Sequence, residues 1–157
     1  MPKITPCLWF DTEGEQAAQH YTSVFPDSRI SDVARYGPAG PRPEGTVMTV
    51  AFSLDGQEFL ALNGGPEYAF TEAISFQVHC ATQEEVDHYW SKLSEGGEEG
   101  PCGWLKDAYG VSWQIVPTVL PELIQDPDPE KSERVMRAMF TMKKLEIDAL
   151  RAAAAPA

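Results

Sequence analysis

The sequence has few of the residues on which several protein classes depend. Its three cysteines, Cys7, Cys80 and Cys102, are an odd number without paired spacing, which predicts reduced thiols rather than a disulfide framework. Lys and Arg number 12 against 24 Asp and Glu, so the formal net charge is −12. Because nucleic acids are bound through clustered basic residues, we predict no nucleic-acid partner.

The chain also lacks long apolar segments and the common short motifs. No stretch reaches the run of about 18 apolar residues that a membrane-spanning helix needs, and the first residues lack the regions of a signal peptide. There is no CxxC, HExxH, P-loop or GxGxxG motif. We therefore expect a cytoplasmic protein without a membrane partner, whose 157 residues can form one domain with a buried core.

The most informative stretch, 103–117, predicts a β-hairpin. Asp107 and Gly110 supply turn chemistry between two arms rich in β-forming residues. The two-residue alternation of a strand points Trp113 toward a core and Gln114 to the opposite face. The polar residue in the second arm therefore raises the question of what it faces.

The same order of predicted elements occurs twice along the chain. Each half has a strand, a helix behind a capping box, and three further strands. The first capping box is Thr12 with Glu15, and the second is Thr82 with Glu85. This repeat predicts an α+β fold of two βαβββ modules. Expected boundaries within the single domain 1–157 are about 3–65 for module 1, about 72–117 for module 2 and about 118–152 for a helical extension.

Two local expectations complete the reading of the chain. The first strand of module 2, Ala73 to Cys80, is expected to place Ile74 on its core side. In the extension, 119–124 predicts a short amphipathic turn, and Glu130 to about Ala152 predicts one C-terminal helix. Its methionine-rich apolar side is typical of core or subunit contact rather than of a ligand site.

Several motifs together resemble a known superfamily. They are Leu8-Trp9-Phe10-Asp11, Tyr21-x-x-x-Phe25-Pro26, Ala61-Leu62-Asn63-Gly64-Gly65-Pro66, Ser75-Phe76-Gln77-Val78, Gly103-Trp104-x-Lys106-Asp107-x-x-Gly110-Val111-Ser112-Trp113-Gln114-Ile115 and Met139-Phe140-Thr141-Met142-x-Lys144. The chain resembles the vicinal-oxygen-chelate (glyoxalase/bleomycin-resistance) superfamily. More narrowly, it resembles the PhnB-like group whose family name is 3-demethylubiquinone-9 3-methyltransferase. The resemblance implies two βαβββ modules whose mixed sheets curl around a cavity, in a homodimer.

In metal-dependent members of this superfamily, His, Gln or Glu ligands project from the first and last strands of each module. Those positions fall here at about Thr5, Ala61, Ala73 and Gln114. Only Gln114 has a suitable ligand atom, and a transition metal needs three or four converging donors. We therefore expect no metal and no other cofactor.

The resemblance and the strand alternation together define a candidate pocket. Its side chains are neutral amides, hydroxyls and an aromatic ring, which suit a small neutral or zwitterionic ligand. The alternative is that Gln77 and Gln114 bond each other and line a structural gap. Cys7 is a nucleophile only if a base lies nearby, and Trp104 is either a packing residue or a ligand contact. The expected pocket residues are Cys7, Trp9, Asn63, Ser75, Gln77, His79, Ser112 and Gln114.

Two functions from different classes follow. The first is a binding or sequestering protein of the bleomycin-resistance type with a metal-free pocket and an unidentified small-molecule ligand. The second is an enzyme, either the methyltransferase of the family name or a glyoxalase-like lyase, isomerase or dioxygenase that recruits a metal through Gln114 and His79. A glycine-rich turn that opens a βαβ unit, expected for a methyl donor by analogy with dinucleotide sites, is absent from the sequence. Whether the protein is an enzyme stays open.

Overall fold

Two four-stranded sheets with the same strand order form the framework of the protein, seen in a computed structural model that describes residues 2–156. The first compact unit is Met1–Phe70 and the second is Thr71–Ala157. In the first unit β1 is Cys7–Phe10, α1 is Gly14–Val24, β2 is Arg29–Arg35, β3 is Val47–Leu54 and β4 is Gln57–Asn63. In the second unit β5 is Ser75–Cys80, α2 is Gln83–Ser94, β6 is Glu98–Glu99, β7 is Trp104–Lys106 and β8 is Ser112–Pro117. The chain ends with α3, Val119–Ile124, α4, Pro129–Phe140, and α5, Ile147–Ala154.

The two sheets are built in the same way. Their orders are β1-β4-β3-β2 and β5-β8-β7-β6, and in each the first strand runs parallel to the last while the other pairs are antiparallel. One helix packs on each sheet, α1 against β3 and β4, and α2 against β8 and β7. The predicted α+β fold of two βαβββ modules with mixed sheets is therefore confirmed.

The second helix begins at the predicted capping box. Thr82 is its N-cap, and its side-chain oxygen accepts a hydrogen bond from the Glu85 amide at 3.2 Å. The Glu85 carboxylate in turn accepts a bond from the Ala81 amide at 3.1 Å. Free N–H groups of the first helical turn are thus satisfied locally, as the sequence pattern predicts.

The first helix begins differently from its predicted capping box. Its N-cap is Glu13, whose side chain caps nothing, and the Gly14 amide instead donates to Asn63 Oδ1 at 2.8 Å. A Cβ on Gly14 would lie 2.7 Å from that oxygen, so only glycine permits the approach. The Asn63 Nδ2 donates to the Val47 carbonyl at 3.2 Å. A side chain distant in sequence therefore replaces the expected local cap.

The predicted single C-terminal helix is interrupted between α4 and α5. There the Met142 and Lys143 carbonyls accept hydrogen bonds from the Cys102 and Gly103 amides, both at 2.8 Å. The Gln83 side chain donates to the Leu145 carbonyl at 3.1 Å and accepts from the Ile147 amide at 2.7 Å. An unbroken helix would use these backbone groups for its own ladder. The break thus allows the extension to bind the rest of the second unit.

The extension has an apolar core of its own. This core consists of buried residues from α3, α4, α5 and the segment between α4 and α5. They are Leu120, Val135, Leu145, Leu150 and Ala154.

The position of Ile74 differs from the sequence-based expectation. Ile74 precedes β5 and is 73% exposed, whereas a core position was expected. Within residues 2–156 the structure contains no helix long and apolar enough to cross a membrane.

We predict that Asn63→Ala lowers the free energy of unfolding by about 3 kcal/mol, because buried groups of Gly14 and Val47 lose their partners. Urea denaturation followed by far-ultraviolet circular dichroism measures the change. Gln57→Ala, an exposed substitution on the same strand, is the control and is expected to shift the unfolding free energy by less than about 0.5 kcal/mol. Equal effects of the two substitutions would contradict the structural role of Asn63.

Candidate functional site

The polar face of the second sheet gathers most of the predicted site residues in two rows. In the first row, Gln114 of β8 is the register partner of Gln77 on β5 and of Trp104 on β7. In the second row, two residues along, Ser112 is the partner of Ser75 and Lys106. Side chains two residues apart on a strand share a face, so both rows lie on the same side of the sheet.

The opposite face of this sheet is core. Leu105 and Trp113 are register partners there and are 2% and 3% exposed. Phe76 packs on Trp113 with ring centroids 5.5 Å apart. Helix α2 covers this face with buried apolar residues, including Val86 and Leu93. The period-2 reading of 111–116 is thus observed, and Gln114 faces away from the core.

The amides of the first row bond each other. Gln77 Nε2 donates to Gln114 Oε1 at 3.3 Å, and Gln114 Nε2 donates to Ser75 Oγ at 2.8 Å. The alternative drawn from the sequence, that the two glutamines pair, therefore describes this part of the structure. The 3.3 Å bond is long for its type and Gln77 is exposed, so a ligand group can compete for it.

The second row carries charge. Lys106 Nζ lies 2.5 Å from the Glu72 carboxylate, and Glu98 on β6 is the register partner of Lys106. The hydrogen bond and charge of Lys106 lower the pKa of Glu72, and the same contact with Glu72 raises the pKa of Lys106, with a smaller contribution from Glu98. Both members of the Lys106–Glu72 pair are therefore ionised at neutral pH.

Ser112 stands out because its hydroxyl has no partner. The residue is 1% exposed, and its Oγ makes no hydrogen bond with any residue in the range 2–156. A buried hydroxyl without a partner costs about 1–3 kcal/mol relative to a bonded one. Such groups are rare in folded proteins and point to an interaction with something outside the chain.

A cavity of about 420 Å³ opens beside these rows. Trp104 and Pro101 supply its apolar wall, with the backbone of Gly100, while Ser112 and Lys106 are on its polar side. Its volume lies in the range that accommodates small organic ligands. The acidic residues Glu72, Glu98 and Glu99 also line it, and of the two on β6 Glu98, the register partner of Lys106, has its side chain on the Ser112 face.

The carboxylate of Asp107 stabilises the β7–β8 hairpin, which contributes Trp104, Lys106 and Ser112 to the cavity. Its Oδ1 accepts bonds from the Tyr109 amide at 2.9 Å and the Val111 amide at 3.0 Å. Its Oδ2 accepts a bond from Trp113 Nε1 at 2.9 Å. Asp107 is 3% exposed, so these donors are what stabilise its buried charge. Asp107 therefore connects the backbone of the turn with a tryptophan of the core.

The predicted residues of the first unit have other roles. Trp9 Nε1 donates to the Gly65 carbonyl at 2.8 Å, and its indole lies so close that a Cβ on Gly64 would be 2.4 Å from it. Asn63 is the register partner of Phe10 and faces α1, so its expected place beside Trp9 differs from the structure. Cys7 is exposed at the start of β1.

His79 is exposed on β5, on the side of Gln77. Its register partner in β8 is Val116, which offers no polar group. Of the eight predicted pocket residues, Ser112 lines the cavity. Ser75 lies next to Ser112 in the same row, Gln77 and Gln114 belong to the adjoining row, and the other four residues lie elsewhere in their units.

The residues present do not fit the metal site of the superfamily. Ala61 is 1% exposed, with its Cβ toward α1, and Ala73 precedes β5 without a donor side chain. The amide oxygen of Gln114 already accepts from Gln77. Across residues 2–156, no three His, Cys, Asp or Glu side chains form a group that could hold a metal ion. No step of a reaction is therefore derived through a metal.

The family model described as 3-demethylubiquinone-9 3-methyltransferase matches residues 2–116. The chain belongs to this family. The solved structure of the PhnB protein from Bacillus cereus is 39% identical, covers 74% of this chain and 100% of its own, and has a TM-score of 0.67. The sequence-based assignment to the PhnB-like group is confirmed.

More distant structures share the fold alone. Protein PA1353 from Pseudomonas aeruginosa is 17% identical, with 74% of this chain and 98% of its own covered and a TM-score of 0.62. The fosfomycin resistance protein FosX from Listeria monocytogenes is 15% identical, with 78% and 97% covered and a TM-score of 0.51. No protein of curated function matches the chain. The family match ends at residue 116, before the three C-terminal helices begin.

Sequence reasoning missed the charged side of the cavity. No motif of the sequence connects Glu98 or Glu99 with a pocket, and Lys106 enters only as part of the motif that resembles the PhnB-like group. The available signal was the turn at Asp107, because a hairpin closed there pairs Lys106 with Ser112. The same alternation then places Trp104 beside Gln114.

We predict that the cysteines differ in alkylation by iodoacetamide at about pH 8. Burial, together with the nearby charge of Glu85, raises the pKa of Cys80 to about 12, so this fully buried thiol should react only after denaturation. Desolvation also raises the pKa of Cys7, which leaves less thiolate and should make it slower than glutathione. Peptide mass spectrometry measures both rates. A Cys7 faster than glutathione would restore it as a candidate nucleophile.

Proposed function

We propose that this protein binds a small organic molecule, without a metal, in the cavity on the polar face of its second sheet. The observation that carries the proposal is the unpartnered Ser112 hydroxyl beside the 420 Å³ cavity. A chain that buries a polar group without a partner lowers its own stability, and a ligand that bonds the group recovers that loss. The indole of Trp104 offers a flat apolar surface at the same place.

The alternative is an enzyme, which the family description favours. For methyl transfer, the two glycine pairs of the chain are occupied by its own packing. Trp9 lies against Gly64, and a Cβ on Gly97 would be 2.0 Å from the Lys106 carbonyl. Neither pair opens a strand-to-helix turn toward a ligand. The donor groups likewise do not fit a glyoxalase-like metal reaction, so binding is the function that the geometry supports best.

We further propose a homodimer in the cytoplasm. Two isoleucines at matching places before β1 and β5, Ile4 and Ile74, are 84% and 73% exposed. These side chains offer apolar contacts to a second copy of the chain. Three thiols without a disulfide fit a reducing compartment.

We predict that small-molecule fragments change the NMR signal of the Trp104 indole N–H. A collection of neutral, cationic and anionic fragments should contain members that shift this signal, because its ring borders the cavity. The Trp113 indole N–H is the internal control, since it is buried and bonded to Asp107. A collection that moves no Trp104 signal, or moves both signals together, would contradict the proposed site. Calorimetric titration with S-adenosylmethionine tests the methyltransferase alternative, which specific binding would support.

Replacement of Gln114 tests whether the amide row belongs to this site. Gln114→Ala should weaken the best fragment by about 1–3 kcal/mol, the value of a lost hydrogen bond in a partly buried place. Gln57→Ala, an exposed glutamine of the first unit, is the matched control and should leave affinity unchanged. Unchanged affinity in Gln114→Ala would remove Gln114 from the site.

Sedimentation velocity checks the oligomeric state. We predict a dimer that is weakened by Ile74→Lys, because a charge would replace an apolar contact in a desolvated place. Lys3→Glu, a charge change near the start of the chain, is the control. A monomer at all concentrations would contradict the homodimer.

A further inference from the structure

We infer that the ligand of this cavity is a small organic cation, an ammonium group carried on an apolar or aromatic body. The inference rests on the proposed function, since it names the ligand class of the same site. It comes from the charge balance of the walls. Glu72 and Glu98 stand at the cavity against one ammonium group, that of Lys106, which leaves an excess of negative charge; Glu99 is the register partner of Leu105, so its side chain lies on the opposite face of the sheet.

The single lysine is already engaged. Lys106 Nζ bonds Glu72 at 2.5 Å, and no ion pair among the described residues uses Glu98 or Glu99. Glu98 lies opposite Lys106 in the β6–β7 register, on the face that carries Ser112. Its charge is therefore directed to the cavity side and is left without a bonded counterion. A ligand cation can supply that counterion.

The apolar wall suits the body of such a molecule. Trp104 is half-buried and borders the cavity together with Pro101. A cation over an indole face is attracted by the negative face of the ring, and tryptophan is the strongest of the aromatic side chains in this respect. The same surface accepts an aromatic or aliphatic group by simple burial.

The Ser112 hydroxyl provides a second, independent indication. Its oxygen is buried and unpartnered, so it can accept a hydrogen bond from a ligand donor. An ammonium group has donors only, and the neighbouring carboxylates accept as well. An anionic ligand would face Glu72 and Glu98 in a protein of net charge −12, which disfavours it.

Three probes that differ mainly in charge test the inference: 2-phenylethylamine, 2-phenylethanol and 3-phenylpropionate, at about pH 7, where the amine is protonated and the acid ionised. Titration followed by the Trp104 indole signal gives the affinities. We expect the amine to bind at least about tenfold more tightly than the alcohol and the acid to show no binding. Equal affinity for amine and alcohol would overturn the cation inference while it supports the cavity. No response to any of the three would also overturn it, whereas the fragment collection decides separately whether the cavity binds a ligand.

Variants identify the residues responsible. Glu98→Gln should reduce the preference for the amine over the alcohol at least about fivefold while the affinity for the alcohol stays unchanged. Glu58→Gln, an exposed carboxylate on β4 in the first unit, is the matched control. An unaltered preference in Glu98→Gln would overturn the assignment of the counterion.

Ser112→Ala gives a readout that a purely structural serine would not. Removing an unpartnered buried hydroxyl should raise the urea midpoint of the free protein, because nothing in the chain bonds it. The same change should weaken the amine several-fold. A lower urea midpoint, or full affinity for the amine, would remove Ser112 from the site.

Discussion

The buried carboxylate of Asp107 holds three N–H groups, and the geometry of the second sheet depends on it. Two of these donors are backbone amides within the turn, and the third is the indole of Trp113 in the core. Hydrogen bonds to a charged group are worth about 1.5–3 kcal/mol each, more than neutral ones. The turn cannot slip by one residue without losing them, and a slip would move every side chain of β8 to the other face. The register that pairs Lys106 with Ser112 is thereby secured from the core side.

The two units share one topology but use their polar side chains differently. Both have the strand order first-fourth-third-second, but their helices begin differently. In the second unit Thr82 caps α2 locally, and the face of the sheet away from α2 keeps its polar side chains. In the first unit the side-chain amide of Asn63, on the last strand, caps α1 and is therefore not available to a ligand. Trp9 is likewise held by Gly65. The buried hydroxyl without a partner, that of Ser112, belongs to the second unit, and the candidate site lies there for that reason.

The fold could be predicted from the sequence because its signals are local and repeated. Alternation, capping residues and the Asp107–Gly110 turn each act within a few residues, and their recurrence fixes the order of elements. What escaped prediction depends on partners far apart in the chain. The cap from Asn63 spans 49 positions and the Gln83 contacts to the extension span 62 and 64, and no periodicity reports such distances. The candidate site was found in part for the same reason. Alternation gave the face of Ser112 and Gln114, but the charges come from the neighbouring strands and from the segment before β5.

The Lys106–Glu72 pair explains how an acidic cavity can persist beside a packed sheet. Like charges around a small volume repel one another, and one ammonium group reduces that repulsion most for the carboxylate it touches. Glu72 precedes β5, whereas Lys106 ends β7, so the pair also ties the entry of the module to its hairpin. Both side chains are substantially exposed, which keeps the contribution of the pair to stability small. The main effect of the pair is on how the negative charge of the cavity is compensated. By binding Glu72, the lysine leaves the charge of Glu98 as the less compensated one, beside a hydroxyl that the fold itself does not use. On an otherwise well-formed sheet, a weakly compensated carboxylate therefore lies next to a buried oxygen without a hydrogen-bond partner. A binding function is expected where a fold keeps such unfavourable groups.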